Sequence, residues 1–488
     1  MRSISSNIPA GTNIIPQPVP NEISLSPPNI HSISAPQAIP ATIPNSFPRA
    51  FECSSFPKMR YTIPPINPTS RTAANTIIRV IFVPSLCFYN STSGRTKTVP
   101  VRSRYEITIH RGTHQIGGCA AEICTANTRI FVDFGSALDG SAGIQIDGLN
   151  TGKAACDGVL LTHYHGDHVG EINTILPEIP LYCGETARLI MQKLNSRTKQ
   201  IDGDVLLNMN TFVQGQSFQI GDIKITPYSV DHSAYDSYMF LIEAEGKHVL
   251  HTGDFRTHGF RGKGVPKVLE KLVGKVDVLI CEGTTINGDH ETALSEYELS
   301  LKIRDYIKEH KYVFAVCSST NFDRLAAVCN AIPRGRYRVC DKYQLEMMEI
   351  MREHTKDYTE LYQFERMLWY SSHLVPKMRD RGFCMFVRLG NSSHRKIMEK
   401  FADLQPRILY SMWKGYLDEP KNAAFVEGFT LDRLHTSGHA DISAIRTAIE
   451  ITQPEIVIPI HTESPDKFKD IAGSRTVLVC EDGENIIL

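Results

Sequence analysis

Residues 160–172 read LLTHYHGDHVGEI and crowd His163, His165, Asp167 and His168 into six positions directly after an apolar run. Imidazoles and carboxylates are costly to bury unless something binds them, and a metal ion is the usual partner. The chain has 18 histidines in 488 residues, so three in six positions fits chance poorly. Positions 163 and 165 alternate and therefore project from one side of extended chain. Asp167 and His168 follow the bend at Gly166 and can face a second locus. Two such loci could hold two divalent ions. A water between two cations loses a proton near neutral pH and becomes a nucleophile. The competing reading is a surface loop that happens to be rich in histidine.

The segments that must position these residues change character along the chain. About half of the 27 prolines fall in the first 70 residues and acids are nearly absent there, which predicts a disordered Pro/Ser-rich N-terminal segment over 1–103. From 104 onward, YEITIHRGT, GGCAAEICTANTRIFVDFG and GVLLTHYHGDH read as short strands separated by turns. GETARLIMQKLNSR has apolar residues three and four apart and predicts a helix. FQIGDIKITPYSVDHS, YMFLIEAEGKHVLHTGDF and VDVLICEGTT are strand-like, and HETALSEYELSLKIRDYIKEHK is a long amphipathic helix. Strands and helices then alternate, and the chain closes with helical DISAIRTAIEITQ and the strands EIVIPIHTE and TVLVCED. This order predicts a strand-rich unit over 104–290 that resumes over 430–488, interrupted by an α/β insertion over 291–429.

The composition, 42% hydrophobic and 22% charged, suits a globular chain of more than one domain. Lys and Arg total 52 against 53 Asp and Glu, a formal charge of −1. No global basic field advertises nucleic acid, so any such contact must use a local patch. The 12 cysteines form no C-x-x-C pair and predict reduced thiols in the cytoplasm. The best apolar run, TIIRVIFVPSLCFY, is too short to span a membrane and is broken by Arg79 and Pro84.

The H-x-H-x-D-H pattern after an apolar strand resembles the metallo-β-lactamase fold of binuclear hydrolases. Asp133 in RIFVDFG, His232 in YSVDHSAYDSYMFLIE, Asp254 in HVLHTGDFRTHG and His461 in EIVIPIHTE match that family's other motifs in order. The resemblance implies an α/β fold, an αββα sandwich, with two divalent metal ions. Zn is the first choice, with Mn or Mg as alternatives, since imidazole suits Zn and mixed carboxylate ligands admit Mn. It implies that His163, His165 and His232 hold one ion, that Asp167, His168 and His461 hold the other, and that Asp254 bridges both. Asp133 would orient the ligands by hydrogen bonds.

Glu282 at a strand end, the long insertion and HTSGHADISAIRTAIEITQPEIVIPIHTE are similar to the β-CASP nucleases, most of all the ribonuclease J group. That resemblance implies catalytic roles for Asp167, His439 and Glu282. His439 would protonate or hydrogen-bond the scissile phosphate or leaving oxygen, and Glu282 would hold it charged. A turn residue capping the next helix is the plainer account of His439. The same resemblance implies phosphate contacts from His435 and Ser437. Ser319 and Asn321, in CSSTNFDRL, stand at a helix start that could bind phosphate or simply cap the helix. Arg334, Arg336, Arg338, Lys342, Lys377, Arg379, Arg381, Arg395 and Lys396 are candidates for a basic wall. The function implied is a two-metal ribonuclease cutting single-stranded RNA, as exonuclease, endonuclease or both. A hydrolase of small esters or lactones and a non-catalytic RNA-binding subunit are the alternatives. Two departures stand out. The chain runs 27 residues past His461, where ribonuclease J continues into a further domain, so assembly, a homodimer included, stays open. SMWKGYLDE replaces a different strand-end loop, which leaves the terminal-phosphate pocket open as well.

Overall fold

The computed structural model describes residues 105–288 and 291–488; the expected disordered segment 1–103 lies outside them. Two seven-stranded sheets stack face to face. The first orders Asn485–Ile487, Tyr105–Arg111, Ala120–Thr125, Arg129–Val132, Gly158–Leu160, Leu181–Gly184 and Asn210–Phe212. The second orders Thr476–Val477, Ile456–Ile460, Val278–Glu282, Lys247–His251, Ser237–Ala244, Ile223–Val230 and Phe218–Ile220. Between them Ile107, Ile130, Val132, Leu160, Phe240, Val249, Ile280 and Ile458 form one buried layer. The outer face of the second sheet is covered by helix Ile442–Thr452 and the segment 265–273. Helix Glu185–Thr198 packs on the first. This is the expected αββα sandwich.

The central strands are apolar on both faces because both faces are covered. Val278–Glu282 reads VLICE and Ile456–Ile460 reads IVIPI, and every residue of both is buried. The expected terminal strand TVLVCED shortens to Thr476–Val477, because this edge finds partners only at Ile456 and Val457.

A third, six-stranded sheet orders Met367–Trp369, Tyr337–Cys340, Phe383–Val387, Tyr312–Val316, Arg407–Tyr410 and Thr430–Arg433. All its pairings are parallel, so its carboxyl ends share one edge, where α/β sheets take ligands. Helix Glu296–Glu309 enters this layer through a capping box formed by Ser295 and Glu298, which satisfies two amide donors reciprocally. The edge meets the sandwich where the Tyr164 hydroxyl donates to the Thr320 carbonyl at 3.2 Å. The ten described cysteines are buried. Among the described residues no helix is long and apolar enough to cross a membrane.

Candidate metal centre

Most of the candidate site residues sit just past the carboxyl end of a strand. Asp133 follows Arg129–Val132 and His163 and His165 follow Gly158–Leu160. His232 follows Ile223–Val230, Asp254 follows Lys247–His251, and His461 follows Ile456–Ile460. The expected turn at Gly166 is instead one helical turn, Gly166–Val169, because the amides of His168 and Val169 both reach the His165 carbonyl at 3.0 Å. Asp133 and His461 hold left-handed backbone, φ 61° and 53°, a strained state that surrounding structure must impose. At Gly135 a Cβ would lie 1.7 Å from the Asp167 carbonyl oxygen, so only glycine lets the Asp167 turn approach this closely.

Hydrogen bonds decide which imidazole nitrogen is free. Asp133 accepts from the Thr162 amide and hydroxyl, each at 2.7 Å, and from His168 Nδ1 at 2.7 Å. Thr162 has thereby given away its only hydroxyl proton, so His163 Nδ1, 3.1 Å away, must donate to it. Thr284 repeats the device: its hydroxyl donates to Glu282 at 2.8 Å and accepts from His461 Nδ1 at 2.7 Å. His232 Nδ1 donates to the Gly438 carbonyl at 2.7 Å. Four imidazoles thus keep Nε2 lone pairs for the centre, and His165 turns its Nδ1 there.

These atoms converge. His165 Nδ1 lies 3.0 Å from His163 Nε2 and 3.2 Å from His232 Nε2. His461 Nε2 lies 3.1 Å from Asp167 Oδ2. One oxygen, Asp254 Oδ2, is 3.3 Å from His168 Nε2, 3.8 Å from His163 Nε2, and 3.9 Å from both His232 Nε2 and His461 Nε2. Both Asp254 oxygens and His168 Nε2 are sealed from solvent without a well-formed hydrogen bond. Lone pairs facing lone pairs in a sealed pocket need a cation between them. The donor set fits divalent metal ions: imidazole nitrogens to one side, mixed carboxylate and imidazole to the other, Asp254 in the middle. Burial, reinforced by neighbouring histidines, holds His163 well below the ordinary histidine range, and burial brings His165 to about 4. Both rings are neutral and ready to ligate. Against burial, Asp254 and the nearby acids raise His168, so a proton or a metal competes for that gap. Cys119 also borders His168 and His461, but burial pushes its thiol well up and leaves it a neutral wall.

His439 stands at the rim. Its Nδ1 is 3.4 Å from Asp254 Oδ2 and 3.4 Å from Glu282 Oε2. Burial alone would lower it; Glu282 and Asp254 lift it to about 9. Glu282 is fully buried and also accepts the Phe255 and Ala440 amides at 3.1 Å each. The cap of helix Ile442–Thr452 is Asp441, so His439 is not needed for capping. The Ser437 hydroxyl accepts the His439 amide at 3.1 Å and shapes that loop. His435 lies 3.3 Å from Arg324, and burial with that charge lowers it to about 3. Asn321 caps helix Phe322–Ala331, and Ser319 is set back in the same turn with a buried, unpartnered hydroxyl. Four of the nine basic-wall candidates have internal partners. Arg336 donates to the carbonyls of Ile307, Lys308 and His310 at a helix end. Arg338, Arg379 and Arg395 likewise spend donors on backbone carbonyls.

A buried network escaped the sequence reading. Arg256 reaches Asp231 at 2.8 Å, Glu296 at 3.0 Å, Asp323 at 2.7 Å and the Ser437 carbonyl at 3.1 Å. Arg324 holds Glu296 at 2.8 Å, the Ser411 hydroxyl, and the Thr436 carbonyl at 3.4 Å. The network welds the third sheet to the loop that carries His439. Its one local sign is the position of Arg256, two residues past Asp254.

Fold and site together have the arrangement of a metallo-β-lactamase-type scaffold. The chain carries a beta-lactamase superfamily domain, matched over residues 146–314. It is similar over much of its length to ribonuclease J. The Helicobacter pylori ribonuclease J is 22% identical over 428 residues, covering 79% of this chain and 61% of that protein. The Mycobacterium tuberculosis ribonuclease J is 24% identical over 335 residues, covering 62% of this chain and 58% of that protein. The chain thus spans about six-tenths of the length of these curated relatives. A crystal structure of a protein of unknown function from Enterococcus faecalis V583 superposes with a TM-score of 0.64 at 21% identity, covering 79% of this chain and all of that one.

Proposed function

We propose that this protein is a two-metal ribonuclease of the β-CASP group, with residues 104–290 and 430–488 forming the metal-binding domain and 291–429 the insertion. The observation that carries the reading is His439, held beside Glu282 and Asp254 at the open rim of the ligand cluster. A phosphodiester releases an alkoxide, which leaves poorly without a proton donor, and His439 stands where such a donor is needed. His163, His165 and His232 would hold one divalent ion and Asp167, His168 and His461 the other, with Asp254 between them. Such ions, when bound, supply Lewis acidity at the phosphate and an activated water.

The chain's own residues do the rest. His439 carries its proton toward the leaving oxygen, and Glu282 keeps that imidazole charged and fixed. Thr284 ties Glu282, His461 and His439 into one unit. Arg256 grips the Ser437 carbonyl, and His232 grips that of Gly438, so the His439 loop cannot drift from the ligands. The similarity to ribonuclease J supports RNA as the substrate.

The test is a cleavage time course on RNA and DNA oligomers labelled at either end, with 5′-phosphate and 5′-hydroxyl forms. The parent should cut RNA, and the ladder reads exonuclease or endonuclease action. His439→Ala should lower kcat about 10²- to 10⁴-fold while retaining bound metal. A protein that opens lactones and leaves RNA intact would overturn the proposal.

A further inference from the structure

Two large aromatic side chains stand exposed where the third sheet meets the metal centre. Trp413 is 60% exposed and Tyr416 43%. Their rings meet edge to face, with centroids 5.5 Å apart and planes at 90°. They sit on the loop after strand Arg407–Tyr410, within the SMWKGYLDE segment that departs from the ribonuclease J pattern.

The loop is built, not loose. At its root the Ser411 amide bonds the Val316 carbonyl at 2.8 Å, and the buried Ser411 hydroxyl bonds Arg324. The Tyr410 hydroxyl donates to the Trp413 carbonyl at 2.8 Å, and Asn422 donates to the Tyr416 carbonyl at 2.8 Å. The benzo ring of the indole lies against Gly415, where a Cβ would come within 2.1 Å of it. Only glycine permits that seat, which leaves the remaining ring surface to solvent.

Position ties this pair to the reacting centre. Arg324, which holds Ser411, also holds His435 and the Thr436 carbonyl, three to four residues before His439. Tyr416 feels the charge of Asp167 behind the effect of its own burial. Exposed Arg433 ends the neighbouring strand, and its charge reaches His435. The Trp413 and Tyr416 rings leave much of their apolar surface in water, at a hydration cost. Unpaired bases stack on such surfaces regardless of sequence.

We infer that Trp413 and Tyr416 form a stacking platform for an unpaired nucleobase of the strand whose phosphate lies at His439. The inference rests on the RNA-hydrolase reading and deepens it by naming the residues of this loop that would hold an unpaired base. A base pair buries both faces of each base in its own stack and cannot use the platform.

The chain has two tryptophans, so Trp369→Phe leaves Trp413 as the sole indole reporter. The metal-loaded full chain is titrated with a single-stranded 2′-O-methyl RNA decamer, its duplex, and an abasic decamer. The single strand should give a saturable quench of Trp413 emission, and the other two should not. On cleavable RNA, Trp413→Ala and Tyr416→Ala should each raise KM about 5- to 100-fold with kcat near the parent's. Gly415→Ala, which keeps both rings but unseats the indole, should do the same. An equal quench by the abasic strand overturns the platform. So do unchanged KM values in variants that cut RNA normally, and the hydrolase reading then stands. A parent that quenches with single strands yet cuts no RNA sinks the hydrolase reading alone. A parent that does neither sinks both.

Discussion

His232 Nδ1 donates to the carbonyl oxygen of Gly438 at 2.7 Å, across 206 positions of chain. One bond therefore sets the tautomer of a candidate ligand and anchors the loop of His439. His232→Ala should abolish one metal equivalent and loosen that loop. Elemental analysis of the purified variant should show about one metal per chain fewer than the parent, with residual cleavage reduced beyond the loss seen in His439→Ala. Full metal content in the variant would remove His232 from the ligand set.

Chelation should destabilise the protein, since ions that bind only the folded state add about 2.7 kcal/mol each at a hundredfold excess over Kd. The thermal midpoint is expected to fall by at least about 5 °C in a strong chelator and to recover on adding Zn. Asp254→Asn should shrink that difference. An identical midpoint with and without chelator would argue against a built-in cation site.

Glu282→Gln keeps the size of the side chain and removes the charge that holds His439 protonated. Its kcat should fall about 10- to 100-fold, the usual effect of losing an orienting partner, with metal content unchanged. A rate equal to the parent's would leave His439 without need of Glu282.

Arg256→Met takes the buried cation from Asp231 and Asp323 and leaves Glu296 with Arg324 alone. The expected loss is about 3–5 kcal/mol, because an uncompensated buried charge costs more than the pair returns. Urea midpoints should report it, with half-exposed Arg304→Met as a control that moves by less than about 0.5 kcal/mol.

Glu296 carries the pH dependence of this network. Burial raises its carboxyl, but Arg324 and Arg256 outweigh burial and bring it to about 2 from an ordinary 4.5. The folded state therefore binds this proton less tightly than the unfolded chain. The stabilisation is full above pH 4.5, declines as pH falls, and is gone below about pH 2. Its size is about 3 kcal/mol at 1.36 kcal/mol per unit. The stability gap between the parent and Glu296→Gln should narrow across that window. A gap that stays constant from pH 6 to pH 2.5 would mean Glu296 is not the paired anion.

Much of this was legible in the chain alone, for local reasons. The run from His163 to His168 announces a metal because residue type and spacing lie within one short segment. The apolar runs VLICE and IVIPI announce strands, and the spacing of HETALSEYELSLKIRDYIKEHK announces an amphipathic helix. Arg336 and Arg338 misled, since a charge in sequence says nothing of its partner. Arg336 turns out to satisfy the carbonyl end of helix Glu296–Glu309. Thr284 and Arg256 were invisible as working residues, because their partners His461 and Ser437 stand 177 and 181 positions away.

Sequence by itself therefore determined which side chains were available for metal chemistry and which strands would carry them. Tertiary structure decided which imidazole nitrogen is free, which carboxylate every ligand faces, and which loop an arginine holds. Side-chain chemistry and periodicity are properties of neighbouring residues. A proton's location and a cation's partner depend on atoms brought within about 3 Å by the packing of three sheets.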